Sequence, residues 1–182
     1  MSSWKSVEIR LSTGQKNIPY AAHPEEDVHQ VIWLSNEPER IDEIPELSRD
    51  AELRSAIQSI NSPGCRFESF RCGSVHEEDE GTFYSNFNIG LIYRDRNAFN
   101  NYGAQLMIAG EVLGNATDSD IFPERSRTFL IEIESVLLTT EGIHGWTVDL
   151  WHRSAGKTAL EAKTQANQAL NLLKNVLSAK YP

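Results

Sequence analysis

The hydrophobic period of this chain changes from two residues to about 3.6 residues near residue 155, and this change constrains the fold most. Residues 83–95 and 146–153 alternate apolar with polar side chains, which is typical of strands with one buried face. Residues 158–177 instead carry an apolar stripe at helical spacing. The pattern therefore predicts strands of a sheet, followed by one long helix that packs on that sheet.

The C-terminal helix has the clearest start signal in the sequence. Thr158 and Glu161 form a capping box, in which the hydroxyl caps one backbone amide and the carboxylate reaches back to another. The stripe that follows begins with small residues and ends with large ones: Ala162, Ala166, Ala169, Leu170, Leu173, Val176 and Leu177. We therefore expect a helix over residues 157–180 that approaches the sheet closely at its start.

Residues 128–138 and 146–153 are predicted to form an antiparallel hairpin, with Leu137 opposite Val148. One face of this hairpin is apolar: Ile131, Ile133, Leu137, Trp146, Val148 and Leu150. The other face is mixed. It holds the polar residues Glu132, Glu134, Thr147, Asp149 and Arg153 together with Trp151, Leu130, Val136 and Leu138. A slip of one residue would mix the two sets, so the pattern predicts the faces. It places Glu132 opposite Arg153, although a slip of two residues would preserve the faces and change the partners.

Shorter patterns predict the remaining elements. Residues 7–11 alternate as a strand, residues 17–27 contain two prolines and suit a loop, and residues 28–34 suit a buried strand or a short helix. Helical spacing predicts a helix over residues 53–60, with Asp50 as its N-cap and residues 61–64 as its stop. Residues 97–103 supply turn residues, and alternation from Ala104 to Val112 then predicts a return strand.

The order of these elements predicts an α+β fold, in which an antiparallel β-meander of about five to seven strands is packed by the long C-terminal helix. We expect a single domain over residues 1–182, with a strand, loop and helix in residues 1–63, the sheet in 64–153 and the helix in 157–180. This order resembles that of helix-grip domains, in which a C-terminal helix closes over a long antiparallel meander. The resemblance implies a cavity between the sheet and that helix.

Acidic residues outnumber basic ones by 26 to 17, which gives a formal net charge of −9. Such a charge disfavours nucleic-acid binding, which depends on neutralising phosphates with lysine and arginine. The charge is asymmetric, because residues 25–52 hold ten acids against two arginines, whereas residues 153–182 hold five basic side chains against one acid. We expect a basic protein partner to dock on the acidic segment through Glu37, Glu39, Asp42, Glu43 and Glu46.

The two cysteines indicate a reducing compartment. Cys65 and Cys72 are seven residues apart in a strand-like segment, which puts them on opposite faces and beyond disulfide reach. With no apolar signal core and no apolar run of membrane length, we expect a cytoplasmic protein without a membrane segment. Metal-ligand spacings are absent, and residues 154–158 resemble a phosphate loop but have Trp151 where glycine is required. The prediction is therefore no cofactor and no metal.

The polar face of the predicted hairpin holds the candidate site residues. Carboxylates held close together cannot all ionise freely, so Glu134 and Asp149 are candidates for a general acid and base. Trp151 and Glu132 are candidate ligand contacts. The alternative is a solvated sheet face on which Arg153 offsets the charge of Glu132. The sequence leaves this choice open, because it does not indicate which face the C-terminal helix covers.

Three functions are compatible with these patterns. The first is a non-enzymatic acidic module that binds a protein, as an inhibitor, an immunity-type protein or a chaperone does. The second is a domain that binds a small hydrophobic molecule in a cavity between the sheet and the C-terminal helix. The third is a hydrolase-type enzyme that uses Glu134 with Asp149. Pairing of exposed strand edges could in addition produce a homo-oligomer.

Overall fold

The structure of the protein is a computed structural model that describes residues 6–19, 31–118 and 127–178. Its strands are β1 (Ser6–Ile18), β2 (Phe67–Asp79), β3 (Thr82–Tyr93), β4 (Arg127–Leu138) and β5 (Ile143–Gly156). Its helices are a 3-10 helix (Pro38–Glu43), α1 (Pro45–Arg49), α2 (Ala51–Ile60), α3 (Arg96–Phe99), α4 (Tyr102–Asp118) and α5 (Ala159–Leu177). Among these described helices, none has the combination of length and apolar character needed to cross a membrane.

The described strands form one sheet in the order β1-β4-β5-β3-β2. Three of the four neighbouring pairs are antiparallel, and β1 pairs parallel to β4. The helix α5 packs against β3, β5 and α2. The predicted fold class is therefore confirmed: the protein is a mixed α+β fold, with a mostly antiparallel sheet packed by the C-terminal helix.

The start of α5 follows the predicted capping signal. Thr158 Oγ1 accepts a hydrogen bond from the Glu161 backbone N–H at 3.1 Å, and the Glu161 carboxylate accepts one from the Lys157 backbone N–H at 2.9 Å. A Cβ on Gly156 would lie 2.7 Å from the backbone nitrogen of Ala162, so the helix begins in close contact with the end of β5. Six residues of the predicted stripe are buried: Ala162, Ala166, Ala169, Leu170, Leu173 and Leu177.

The helix α2 also begins where the sequence predicts. Asp50 Oδ1 accepts a hydrogen bond from the Leu53 backbone N–H at 3.1 Å, which satisfies one of the free amides of the first turn. The helix buries its apolar stripe, which consists of Leu53, Ala56, Ile57 and Ile60. Of the segment predicted as a strand or short helix, residues 28–30 lie outside the described residues, while residues 31–33 have no regular structure and residue 34 begins a turn.

The predicted return strand at residues 104–112 is wrong, because this segment lies in the helix α4. Ala104, Ile108 and Val112 recur every four residues, and this spacing fits one face of a helix as well as alternate positions of a strand. Leu106, which a strand would have placed on the same face, is 43% exposed. Together α3 and α4 connect β3 to β4, two strands that both run antiparallel to the intervening β5. Such parallel strands need a crossover connection, and a helix is the usual one.

The β4–β5 hairpin keeps the predicted faces but shifts its register by four residues. Ile133 pairs with Val148, and Leu137 pairs with His144. The strand β5 begins at Ile143, so the connection is a short turn over residues 139–142 instead of the predicted 139–145. Gly142 permits this tight turn, because its backbone has a φ of 67°, a conformation that glycine adopts readily.

Candidate functional site

The helix α5 covers the apolar face of the β4–β5 hairpin. The buried residues of α5 belong to the same core cluster as Ile131, Ile133, Val148 and Leu150. His152 completes this face, with its ring centroid 5.0 Å from that of Phe87 and 4.8 Å from that of Phe129. The opposite face of the sheet, called the polar face below, is therefore the one that carries the candidate residues.

Two rows of register partners cross the polar face. Directly paired residues on neighbouring strands share a face of the sheet. The charged row consists of Arg71 on β2, Gly90 on β3, Asp149 on β5 and Glu132 on β4. The groove row, one step along the strands, consists of Gly73, Asn88, Trp151 and Leu130. The structure thus places Asp149 opposite Glu132, and the predicted Glu132–Arg153 pair is wrong, because the register is shifted by four residues.

Arg71 reaches across a whole strand to pair with Asp149. Its Nε donates a hydrogen bond to Asp149 Oδ1 at 2.8 Å, although β3 lies between the two strands that carry these residues. Gly90 makes this possible, since a Cβ there would lie 2.5 Å from Asp149 Oδ1 and 2.6 Å from Arg71 Cγ. A register shift between Ser69 and Arg71 sets where Arg71 falls on this face.

Asp149 is a buried carboxyl with a perturbed pKa. The residue is only 1% exposed, and burial raises its pKa from 3.8 to about 6. The positive charges of Arg71 and Lys16 oppose this shift of the pKa, while the nearby carboxylate of Glu134 adds to it. Such a pKa results when desolvation outweighs the attraction of the cations.

The second predicted catalytic carboxylate, Glu134, is held at the β1 side of the polar face. Ser12 Oγ donates a hydrogen bond to Glu134 Oε1 at 3.0 Å, and Lys16 forms an ion pair with Oε2. Glu134 pairs with Thr147 in the register, which makes it a diagonal neighbour of Asp149. The structure thus brings Glu134 and Asp149 together, and each forms an ion pair with a cation, Lys16 and Arg71 respectively.

A groove of about 750 Å³ lies over the groove row of the polar face. Its floor is formed by strands β2 to β5, and α1 contributes one wall. The main lining side chains are Glu46, Arg49, Val75, Asn86, Asn88, Leu130, Trp151 and Arg153. Neither Asp149 nor Glu134 lines this groove. Of the predicted ligand contacts, Trp151 lies in it, whereas Glu132 lies in the adjacent charged row.

Trp151 and Arg153 are held in place by neighbouring side chains. The guanidinium of Arg71 lies 5.1 Å from the ring centroid of Trp151, a residue that is 37% exposed. The guanidinium of Arg153 lies 4.0 Å from the ring centroid of Tyr84 and 3.7 Å from a carboxylate oxygen of Glu77. Both arginine contacts are cation–π arrangements, which restrict the orientations of the ring and of the cation.

Cys72 also lines the groove, but its chemistry is not that of a nucleophile. Burial, with a smaller contribution from Glu46, raises the pKa of the Cys72 thiol to about 12. Only the thiolate reacts as a nucleophile, so this thiol is unreactive at neutral pH. Cys65 and Cys72 are both free.

The acidic side chains predicted to bind a partner are exposed but largely paired within the protein. Arg40 forms ion pairs with Glu37 at 2.9 Å and with Glu43 at 2.8 Å. Asp42 forms another with Arg54 at 2.7 Å. These pairs offset part of the negative charge that the segment presents. The remaining two predicted residues are both exposed: Glu39 lies on the 3-10 helix and Glu46 on α1.

A second polar cluster joins α2 to the sheet. His76 Nδ1 and Ser85 Oγ are 3.0 Å apart, and His76 Nε2 lies 3.9 Å from Asp50 Oδ2. The residue types are those of a catalytic triad, but Ser85 is 1% exposed and the second distance exceeds hydrogen-bond length. We therefore assign these residues a structural role. Within the described ranges, no three His, Cys, Asp or Glu residues are grouped so that they could hold a metal ion.

Comparisons with protein-family models, curated proteins and solved structures gave no match.

Sequence reasoning identified Trp151 but missed the residues that shape its surroundings. Arg71 was missed because its position on the polar face depends on the register shift in β2. Arg49 was missed because α1 lies beside β2 only in the folded protein. Glycines inside the strands could have indicated these contacts, since a glycine in a strand often marks a place where other groups approach the backbone closely. Gly90 admits the Arg71–Asp149 pair, and a Cβ on Gly73 would lie 2.9 Å from Asn88 Oδ1 on the groove floor.

Proposed function

We propose that this protein is a non-enzymatic module that binds a small molecule in the groove of the polar face. The observation that carries this proposal is the groove itself, whose volume of about 750 Å³ and partly exposed tryptophan suit a small ligand. Its floor lies on the strands of a packed sheet, which is a rigid support for a binding site. The location differs from the expected cavity beneath the C-terminal helix, where the stripe of α5 is buried in the core instead.

Acid–base catalysis by Glu134 and Asp149 has less support than ligand binding. Both carboxylates are nine-tenths or more buried, and ion pairs with Lys16 and Arg71 hold them in position. A catalytic carboxyl must reach a bound substrate, directly or through one water molecule. Neither residue lines the groove.

A fragment screen by NMR spectroscopy tests ligand binding. We expect hits to shift the indole N–H resonance of Trp151 and the backbone amide of Gly73, both of which belong to the groove. Trp146, which packs against Tyr102 at 4.9 Å between ring centroids, is the internal control and should not shift. Trp151→Ala should abolish the hits. The proposal is wrong if no fragment binds, or if the hits shift residues elsewhere and survive this substitution.

Docking of a basic protein on the acidic segment is the second candidate function. It is favoured by the exposure of the acidic side chains, which reaches 78% for Asp42. The internal ion pairs with Arg40 and Arg54 reduce the charge available to a partner, which is why we rank it second. Retention of the protein on immobilised polylysine tests it, because such retention should fall with salt. Neutralising the four residues Glu37, Glu39, Asp42 and Glu43 should lower the salt concentration at which the protein elutes, and an unchanged elution point would exclude the segment.

A further inference from the structure

The charges of the groove differ in sign from those of the chain as a whole. The chain has a net charge of −9, yet the described residues that line the groove include two arginines, Arg49 and Arg153, and one acid, Glu46. Arg49 has no ion-pair or hydrogen-bond partner among the residues that the structure describes. Arg153 is 53% exposed, and its nearest carboxylate oxygen, on Glu77, is 3.7 Å away. Toward the described part of the chain, neither guanidinium donates a hydrogen bond, so both have donors to offer an anion.

Trp151 supplies a flat apolar surface beside these cations. The guanidinium of Arg71 packs against its ring and is itself fixed by the hydrogen bond to Asp149. The indole is therefore held in one orientation before any ligand arrives, which lowers the entropic cost of binding. Gly73 has no side chain above the floor of the groove, and Leu130 adds apolar surface. This combination favours a planar ring stacked on the tryptophan.

We propose that the ligand of the groove is a planar aromatic molecule that carries an anionic group, such as a carboxylate, sulfonate or phosphate. The ring packs on Trp151 and Leu130, while the anionic group accepts hydrogen bonds from Arg49 and Arg153. This inference rests on the proposed ligand-binding function and adds the chemical class of the ligand. The proposal depends on the position of the two arginines, which places two guanidinium groups in the same groove as the exposed tryptophan.

Two fluorescent probes with the same ring system test the assignment. 1-Anilinonaphthalene-8-sulfonate carries an anionic group, and N-phenyl-1-naphthylamine is its uncharged counterpart. We expect the wild-type protein to bind the sulfonate at least about tenfold more tightly, because each charged hydrogen bond contributes on that scale. Arg49→Gln and Arg153→Gln should each weaken binding of the sulfonate by about five- to tenfold and leave the uncharged probe unchanged.

Two variants distinguish the groove from the rest of the surface. Trp151→Ala should weaken the binding of both probes, since both stack on the indole ring of Trp151. Arg10→Gln is the matched control, because it removes one arginine from an exposed pair with Glu8 outside the groove and should change neither affinity. Arg49 and Arg153 are both exposed, so their substitutions are compatible with folding. The comparison of the two probes on the wild-type protein tests the ligand class without any variant.

The outcomes separate the two proposals. If the wild-type protein binds both probes with equal affinity and Trp151→Ala binds neither, the groove is a binding site but its ligand need not be anionic. This result would overturn the anionic ligand class alone. Sulfonate binding that is insensitive to Arg49→Gln and Arg153→Gln would also overturn the ligand class. Failure of both probes and of the fragment screen would overturn the binding function together with it.

Discussion

Arg71 and Asp149 form an ion pair 2.8 Å long across an intervening strand, above a glycine that has no side chain to separate them. The pair joins β2 to β5 over β3 and holds Arg71 against the ring of Trp151. One buried carboxyl thus fixes the position of Arg71 and, through Arg71, the shape of the groove.

Replacing Asp149 should change how stability depends on pH. The pKa of this carboxyl is raised from 3.8 to about 6 in the folded protein, so folding favours its protonated form. The resulting stabilisation is complete below about pH 4 and is lost as the pH rises through about 6. We expect the wild type to lose roughly 2–3 kcal/mol relative to Asp149→Asn between about pH 4 and pH 7.5. Urea denaturation at several pH values measures this difference, and parallel profiles would contradict it.

Gly90→Ala should destabilise the protein, because the new Cβ would lie within 2.7 Å of three atoms, on Asp149, Arg71 and Phe70. The arginine must then move away from the carboxylate, at a cost of about 2–4 kcal/mol. Gly110→Ala in α4 is the control, because a Cβ there meets nothing within 4 Å and alanine favours the helix by about 0.5–1 kcal/mol. The free energies of unfolding of the two variants should change with opposite sign. An unchanged free energy of unfolding in Gly90→Ala would contradict the close approach of Arg71 and Asp149 to Gly90.

The ion pair of Lys16 with Glu134 should contribute more than an exposed pair does. Glu134 is 3% exposed, so removing its cation leaves a buried carboxylate without its charge partner. We expect Lys16→Gln to lower the free energy of unfolding by about 1–2 kcal/mol at neutral pH. Arg10→Gln, in a pair whose two side chains are both 54% exposed, should change it by less than about 0.5 kcal/mol. Equal effects, measured by chemical denaturation, would contradict this ranking.

Asp50→Ala should shorten or destabilise α2. The substitution removes the acceptor for the Leu53 backbone N–H and leaves that amide unsatisfied at a buried helix start. The expected loss of stability is about 1–2 kcal/mol, at the upper end for an N-cap. Hydrogen exchange should report it as faster exchange of the amides in the first turn of α2, whereas α5, capped by Thr158, should keep its protection. Unchanged exchange in α2 would contradict the role of this cap.

Cys72 should resist thiol reagents although it lines the groove. Its pKa of about 12, against an ordinary value of 9.0, reduces the thiolate fraction at neutral pH roughly a thousandfold. In Cys65→Ala, where Cys72 is the only thiol, alkylation by iodoacetamide at about pH 7.5 should be at least about a hundredfold slower than in the urea-unfolded protein. A rate within tenfold of the unfolded value would show that the thiol is neither buried nor perturbed.

Local patterns predicted several features correctly because neighbours along the chain create them. The capping residues Thr158 and Asp50 bind amides within their own first turns, so their roles follow from spacing alone. The two faces of the β4–β5 hairpin follow from alternation, which fixes the parity of each residue. The same alternation failed at residues 104–112, where a four-residue repeat satisfies both a strand and a helix.

The amino-acid sequence by itself determined the fold class, the helix caps and the side of the sheet on which Glu134, Asp149 and Trp151 lie, because these depend on periodicity and on contacts between near neighbours. Only the tertiary structure decided the register, the partner of Asp149 and the groove beside Trp151. The register depends on the length of the β4–β5 turn, and turns over residues 139–142 and 139–145 leave the same alternation of faces. The partner of Asp149 and the groove join segments that are distant along the chain, because a shift in β2 brings Arg71 over Gly90. Residues so far apart are brought together by packing of the whole sheet, which no local pattern contains.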